Sequence, residues 1–447
     1  MKIGSRILVS VGCVVLLLVS WIVAVTAPTN GERQLSLIKQ ASDLMEDKIY
    51  ITAVPLLEEA ISYNGEHTLE AETLLKRAYL ELIDQQGYQR KYISLLETQM
   101  NRDDATVDIF LEAAHFYLDR SKLTDAFTVL KAGIKKTGSQ ELTDLYESSR
   151  YVYQTGRSFY HDVTSIYNGT IAVQNDELWG LAKADGTLVI DCQYEQVSTY
   201  YVDRMIVQKD GEIYAVDQNN NRLALLKEKN VSDHGRLADV TDFGNLAGGR
   251  IPLLIGSQWH RSSAEFVVGS MGFEDLGTYS DGYVAAKQNG KWGLVDLADE
   301  WLLSPEYDEI MMDELGRSYM QKAVFARKGN AVYLFVDGVE TGGPYEDARP
   351  FGEEGYAAVK KNGKWGFVDT SGQLQIQYQF DDALSFGQHL AAVEKDGKWG
   401  YISIYGEMVI GPDFLGAKSF SKGSAPVLTE RGWLFITLIE YKEGTGL

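Results

Sequence analysis

The side chains that could carry catalysis are scattered along the 447-residue chain. No two of the six histidines stand at the spacing that metal ligands take on one helix or strand. They are His67, His115, His161, His234, His260 and His389. The chain has no Gly-rich phosphate loop, dinucleotide fingerprint or nucleophile elbow. The sequence therefore predicts no catalytic residue, no metal ligand and no cofactor, and we expect the protein not to be an enzyme.

Acidic residues give two weak patterns. Residues 217–221, Asp-Gln-Asn-Asn-Asn, resemble the start of a calcium loop but lack its glycine and its final glutamate. The pairs Asp381-Asp382 and Glu353-Glu354 could act as paired catalytic carboxylates. All three stand where the chain is expected to turn, so solvated turn residues are the favoured interpretation.

Three lysines recur at one place in a repeated Gly-Lys-Trp-Gly motif: Lys291, Lys364 and Lys398. Stacked copies of one motif place equivalent side chains in a row. The row is a possible binding face for an acidic cell-wall polymer or a protein partner.

The tryptophans of this motif set the period of the chain. Trp365, Trp399 and Trp433 follow one another at intervals of 34 residues, and Trp179 and Trp292 belong to further copies. Tryptophan buries a large apolar area, and the following glycine lets a neighbouring strand approach closely. We expect these five rings to form the structural core between repeats, because so short a unit cannot bury its apolar face alone.

Each copy has the pattern of a small antiparallel meander. An alternating strand leads to a tight Asn-Gly or Asp-Gly hairpin, then the Trp-Gly strand, a second turn and a further apolar strand. Seven units are clear and one, at Trp259, is doubtful. Constant turns at a constant period predict an all-β domain of three- to four-stranded units in a propeller-like ring, with an open β superhelix as the alternative.

The full pattern resembles the bacterial WG (KWG) repeat family over about residues 160–447. It reads aromatic-Asp-x-Ala-x-x-Phe, then Ala-x-Val-x-x-Asn-Gly-Lys-Trp-Gly-Phe-Val-Asp. The resemblance implies a repeat architecture. It implies no particular activity and no catalytic residue set.

Before the repeats, residues 31–155 have helical periodicity without hairpin dipeptides. They predict about three helical hairpins and a capping helix near 141–153. The segments Leu57–Ile61 and Asp125–Ile134 resemble second helices of tetratricopeptide-like repeats. The predicted organisation is multidomain, with boundaries at 1–30, 31–155 and 156–447.

The first 30 residues contain an apolar run, Ile7–Ala27, that is long enough to cross a bilayer as a helix. Lys2 and Arg6 precede it, which predicts a cytoplasmic tip and an extracytoplasmic bulk. A cleaved signal peptide and a lipoprotein at Cys13 are the alternatives, but the run is long for the first and Cys13 stands too early for the second. We expect a single-pass protein of the cell membrane.

The net charge of the chain limits the classes of partner that it can bind. The formal net charge is −21 and the isoelectric point is near 4.8, which argues against nucleic acid. Two functions remain. The first is a non-enzymatic, membrane-anchored extracytoplasmic scaffold, binding protein or envelope component. The second is a protein that binds or processes cell-wall carbohydrate.

Overall fold

The computed structural model describes residues 29–223 and 240–439. Contacts divide the chain into two compact units, one ending at Tyr146 and one beginning at Glu147. The predicted anchor, Ile7–Ala27, lies outside the described residues. Of the helices within them, none has both the length and the apolar character needed to cross a membrane.

The first unit is helical. Its helices are α1 (Asn30–Glu46), α2 (Tyr50–Ser62), α3 (Thr68–Glu81), α4 (Tyr88–Met100), α5 (Val107–Leu118), α6 (Leu123–Thr137) and α7 (Gln140–Ser149). They pack as the hairpins α1–α2, α3–α4 and α5–α6, and α2 also packs on α3. Thr29 and Glu32 form a reciprocal capping box at the start of α1, which satisfies two amides of its first turn.

The second unit consists of eight small antiparallel sheets, which we call blades 1 to 8 in chain order. Blade 1 contains β2 (Asp162–Val163), β3 (Thr170–Asn175), β4 (Leu178–Lys183) and β5 (Leu188–Tyr194). Blade 2 contains β6 (Gln196–Val197), β7 (Met205–Lys209) and β8 (Glu212–Val216). Blade 3 contains β9 (Val240–Phe243), β10 (Arg250–Ile255), β11 (Gln258–Ser263) and β12 (Val268–Phe273). Blade 4 contains β13 (Asp275–Leu276), β14 (Tyr283–Gln288), β15 (Lys291–Asp296) and β16 (Trp301–Tyr307).

The other four blades follow the same order of strands. Blade 5 contains β17 (Glu309–Ile310), β18 (Ala323–Lys328), β19 (Ala331–Val336) and β20 (Val339–Tyr345). Blade 6 contains β21 (Asp347–Ala348), β22 (Tyr356–Lys361), β23 (Lys364–Asp369) and β24 (Leu374–Phe380). Blade 7 contains β25 (Asp382–Ala383), β26 (Leu390–Lys395), β27 (Lys398–Ser403) and β28 (Met408–Phe414). Blade 8 contains β29 (Gly416–Ala417), β30 (Ser424–Thr429), β31 (Gly432–Leu438) and β1 (Tyr153–Thr155).

The eight blades form a closed ring. Each of eight apolar clusters combines side chains from two neighbouring blades, and one of them joins blade 8 to blade 1 through Phe435, Tyr160 and Ile171. This arrangement is a β-propeller. It confirms the predicted propeller-like ring rather than the open superhelix, and the doubtful unit at Trp259 is blade 3.

The ring is closed by a strand from outside the repeats. β1 pairs antiparallel with β31, so that Gln154 faces Thr437 and the last blade receives its fourth strand from the start of the unit. β1 lies before the predicted boundary at 155/156, and the division by contacts falls earlier, between Tyr146 and Glu147. The second unit thus joins its own beginning and end within one sheet.

The Trp-Gly pair has a structural reason in the blade. A Cβ atom at Gly180, Gly293, Gly366 or Gly400 would lie 2.4–2.7 Å from a carbonyl oxygen of the fourth strand of the same blade, which is too close. The pairing of third and fourth strands shifts register at this point in every one of these blades. In these four blades the glycine leaves room for that irregular pairing.

Turns give the ring two distinct faces. The turns between first and second strands and between third and fourth strands lie at one end of each blade, which we call the turn face. The hairpins between second and third strands lie at the other end, the hairpin face. Asn362 and Gly363, with φ of 53° and 75°, show the left-handed backbone that such a hairpin needs.

Candidate functional site

The five repeat tryptophans differ in burial. Trp292 and Trp365 are buried, whereas Trp179, Trp399 and Trp433 are partly exposed. Trp365 lies in the cluster between blades 6 and 7, with Phe380 of its own blade and Val393 of the next. None of the five rings stands open to solvent as a sugar platform would.

The three candidate lysines lie on the hairpin face, at the start of the third strands of blades 4, 6 and 7. Lys291 is paired with Asp308 and Lys364 with Asp381. Leu415 stands where Asp308 and Asp381 stand in the other two repeats. No carboxylate among the described residues pairs with Lys398. Blades 4 and 6 are separated by blade 5, so only Lys364 and Lys398 are on adjacent blades.

The acidic residue that joins successive repeats ties one blade to the next. Asp381 Oδ2 accepts a hydrogen bond from the Asp396 amide of blade 7 at 2.9 Å, and Asp308 Oδ2 accepts one from the Gly329 amide at 2.7 Å. The lysine partner and this amide bond both lower the pKa of Asp308 and Asp381. The aromatic-acidic joint is therefore a structural link at the hairpin face.

The acidic turn at 217–221 is also structural. Asp217 Oδ1 accepts hydrogen bonds from the amides of Asn219 and Asn221 at 2.9 and 2.8 Å, and its pKa is lowered by Asn221. Asp369 accepts the same pair of bonds in blade 6. Within 29–223 and 240–439, no cluster of three histidine, cysteine or acidic side chains is arranged to hold a metal.

Exposed apolar side chains are concentrated on the turn face. Two of those in the described blades, Leu178 and Leu415, lie on the hairpin face. The turn face has eight: Leu188, Val202, Val267, Leu297, Val339, Leu374, Tyr405 and Met408. The strongest exposures among them are those of Val202 (78 %), Tyr405 (77 %), Val339 (66 %) and Val267 (65 %).

One blade departs from the repeat on this face. In seven blades the turn between first and second strands begins four residues after the short first strand. In blade 5 the interval from Ile310 to Met320 is ten residues. The six additional residues, 313–318, are called here the blade 5 insertion. Asp313 closes its loop, since it accepts the Arg317 amide at 2.9 Å and pairs with the Arg317 guanidinium at 2.7 Å.

The insertion reaches across the ring. Its Leu315 carbonyl accepts hydrogen bonds from Thr278 Oγ1 of blade 4 (2.6 Å) and from Asn245 Nδ2 of blade 3 (3.1 Å). Its Glu314 accepts one from Ser165 Oγ of blade 1 at 2.8 Å and pairs with Lys418 of blade 8. Blades 1 and 5 are four places apart, so the insertion crosses the middle of the turn face.

A cavity of about 510 Å³ remains beside the insertion. Its walls come from blades 1, 5, 6, 7 and 8, which places it inside the ring. The apolar floor includes Phe351, Phe386 and Phe420, and the charged lining includes Glu314 and Arg349. This volume lies in the range of about 300–1,000 Å³ that is usual for ligand sites.

The motifs of the sequence did not single out the cavity residues, although the repeat contains a signal for three of them, Ser165, Ser385 and Ser419. A short polar residue stands two places after the short first strand in most blades, just before an apolar or aromatic residue. The series is Ser165, Thr199, Asn245, Thr278, Ser385 and Ser419. Because each residue sits in its own repeat, only superposing the repeats reveals the series.

The helical unit has a second concave site, of about 490 Å³. Phe110 and Val129 give it an apolar surface, and Glu97 and Asp125 give it negative charge. Burial, with a smaller contribution from those two carboxylates, raises the pKa of Tyr117. The predicted helical hairpins thus present a groove between α4, α5 and α6.

Comparison with known proteins agrees with the repeat pattern. A family model described as "WG containing repeat" matches residues 179–212, 270–292, 292–316, 345–365 and 365–399. No curated protein sequence matches the chain.

Solved structures resemble the chain only loosely. PorZ, a surface component of the type-IX secretion system of Porphyromonas gingivalis, is 11 % identical over 62 % of this chain and 42 % of its own, with a TM-score of 0.35. A eukaryotic initiation factor is 10 % identical over 59 % of this chain and 79 % of its own, with a TM-score of 0.38. The Cps50 (Swd1) β-propeller domain of Myceliophteria thermophila is 10 % identical over 56 % and 99 %, with a TM-score of 0.33. The alignment with PorZ leaves more than half of that protein uncovered.

The family match and the closed ring of Trp-Gly blades lead to one identification. Between residues 179 and 399 this chain is a WG-repeat protein, as its motifs predict.

Proposed function

We propose that the protein is a non-enzymatic interaction scaffold, anchored in the cell membrane by Ile7–Ala27 with its bulk on the extracytoplasmic side. The turn face of the propeller is its binding surface. The observation that carries this proposal is the concentration of exposed apolar side chains on that face, around a cavity. Such patches on a soluble surface usually mark a protein contact.

None of the five repeat tryptophans is openly exposed, which supports a protein partner over a cell-wall carbohydrate. Sugar platforms need open aromatic rings, and Tyr405 is the one aromatic side chain in the described residues that is largely exposed. Carbohydrate binding or processing, the second candidate, would therefore depend on the cavity and not on the Trp-Gly motif.

The binding surface can be tested by removing four exposed apolar side chains of blades 5 to 7, which we call the apolar arc. We expect the combined change V339S, L374S, Y405S and M408S to abolish capture of envelope proteins by cross-linking in intact cells. Stability should change little, because these side chains are already exposed.

Two matched controls lie on the hairpin face. Changing Leu178 and Leu415 to serine removes apolar side chains that are 37 % and 43 % exposed, close to Leu374 and Met408, and should leave capture intact. Reversing the charge of Lys291, Lys364 and Lys398 should also leave it intact. If the lysine variant loses its partner in a salt-dependent way while the arc variant keeps it, binding belongs to the lysine row.

The topology has its own test. Protease added to intact protoplasts should digest everything after about residue 30, because both folded units lie outside in this proposal. Protection of the propeller would refute the orientation. A mature N-terminus after Ala27 would replace the anchor by a cleaved signal peptide.

A further inference from the structure

We propose that the turn-face cavity binds an acidic peptide segment of a protein partner, and that Glu314 occupies the carboxylate site of this cavity until such a segment replaces it. The proposal rests on the scaffold function above and names its site and ligand class. Five features of the insertion and the cavity lead to it.

The carboxylate of Glu314 is bound by residues of two other blades, as the carboxylate of a separate ligand would be. It comes from blade 5, yet Ser165 of blade 1 and Lys418 of blade 8 hold its two oxygens. A hydroxyl and an ammonium are suitable partners for one carboxylate. In the other blades the equivalent turn is too short to deliver such a group.

Lys418 needs an anion beside it. Its side chain is 15 % exposed, and its ammonium lies 5.2 Å from the centre of the Trp433 ring. A charge with so little access to water is costly unless it is paired. If Glu314 leaves, another anion must therefore take its place.

Glu314 can leave without unfolding the insertion. Its side chain is 43 % exposed, whereas the next residue, Leu315, is buried and its carbonyl is fixed by Thr278 and Asn245. The insertion is anchored at Leu315. Rotation of the Glu314 side chain alone is enough to vacate the site.

Arg349 supplies a cation that lines the cavity itself. Its guanidinium lies 4.9 Å from the centre of the Trp365 ring and 3.5 Å from Asp382. Its Nε is buried and has no acceptor among the residues that the structure describes. A planar guanidinium with an unused donor suits a second carboxylate or a peptide carbonyl.

The surroundings favour a peptide over a small acid. The cavity has buried phenylalanines in its floor and exposed apolar side chains on the face around it. A carboxylate flanked by apolar residues complements both. The net charge of −21 opposes the approach of an acidic peptide only weakly, because salt screens exposed charges beyond about 8 Å.

The test uses the full-length chain and a fluorescein-labelled hexapeptide with a central glutamate between leucines and phenylalanines. Its counterpart has glutamine in place of glutamate. By fluorescence anisotropy, E314Q should bind the glutamate peptide about tenfold more tightly than the unchanged chain, because the internal competitor is gone. K418M should bind it at least tenfold more weakly, since the charge-assisted bond is lost while the stem over Trp433 stays.

Lys398→Met, on the hairpin face, is the matched control and should not change the affinity. Near-UV circular dichroism verifies the fold of each variant, and if K418M is unfolded the decision rests on E314Q. The proposal is overturned if the two peptides bind alike, if E314Q does not tighten binding, or if neither the unchanged chain nor E314Q binds.

The cavity proposal and the scaffold proposal fail in different ways. If the variant that lacks the apolar arc loses its partner, but E314Q and K418M do not change the affinity for the peptide, the cavity proposal fails and the scaffold proposal stands. If the unchanged chain captures nothing in cells, the scaffold proposal fails.

Discussion

Replacing Trp365 by alanine should destabilise blades 6 and 7 by about 3–5 kcal/mol, the range measured for large-to-small changes in protein cores. The ring is 3 % exposed and lies between Phe380 of blade 6 and Ala383, Phe386 and Val393 of blade 7. Its loss leaves a cavity that two blades share. Hydrogen exchange read by mass spectrometry should show faster exchange throughout 347–414.

Trp399 provides the comparison within the same motif. Its ring is partly exposed at the edge of the cluster between blades 7 and 8, so Trp399→Ala should cost less, below about 3 kcal/mol. Unfolding is best followed by far-UV circular dichroism, because both changes remove a fluorophore. Intact stability together with lost partner binding would contradict the core role and make these rings ligand platforms.

The ring could be predicted from the sequence because its information is local and repeated. Hairpin dipeptides such as Asn362-Gly363 determine a turn whose backbone few other residues adopt. The Trp-Gly strand gives each unit a buried face that requires a neighbour. Seven clear copies of one rule were enough to predict a propeller-like ring, whereas the degenerate copy at Trp259 left the number of units open until the structure showed eight blades.

Closure by β1 could not be predicted, because the types of its three residues do not distinguish a strand from a loop. Tyr153, Gln154 and Thr155 form a strand because β31, at the other end of the unit, offers an edge with which they pair. Pairing of this kind depends on the tertiary structure, and local propensity does not predict it.

The candidate site was hidden for a related reason. The lysines were prominent because they recur, but recurrence selected residues with a structural partner, such as Asp308 for Lys291. The blade 5 insertion breaks the repeat and looks like an ordinary loop in the sequence. Its significance comes from Ser165 and Lys418, which are 149 and 104 residues away and meet Glu314 only in the closed ring.

The glycine of the Trp-Gly pair should prove as sensitive as the tryptophan beside it. An alanine at Gly400 would place its Cβ 2.6 Å from the Ile410 carbonyl oxygen and within 3 Å of the Gly411 backbone. These are backbone atoms of a paired strand, so β28 must move and its register with β27 must change. We expect a cost of about 1–3 kcal/mol, as for overpacked cores, measured by urea unfolding of the full-length chain.

Gly411 is the matched control, since it lies in the same blade and its own Cβ would meet only Asp413 Oδ2, at 3.5 Å. Gly411→Ala should be neutral or stabilising by up to about 1 kcal/mol, because alanine restricts the unfolded chain. Equal effects at the two positions would show that glycine weakens the strand by its flexibility alone. A large loss confined to Gly400→Ala would show that the Trp-Gly motif exists to let the fourth strand shift its register against the third, which is the step that every complete repeat must make.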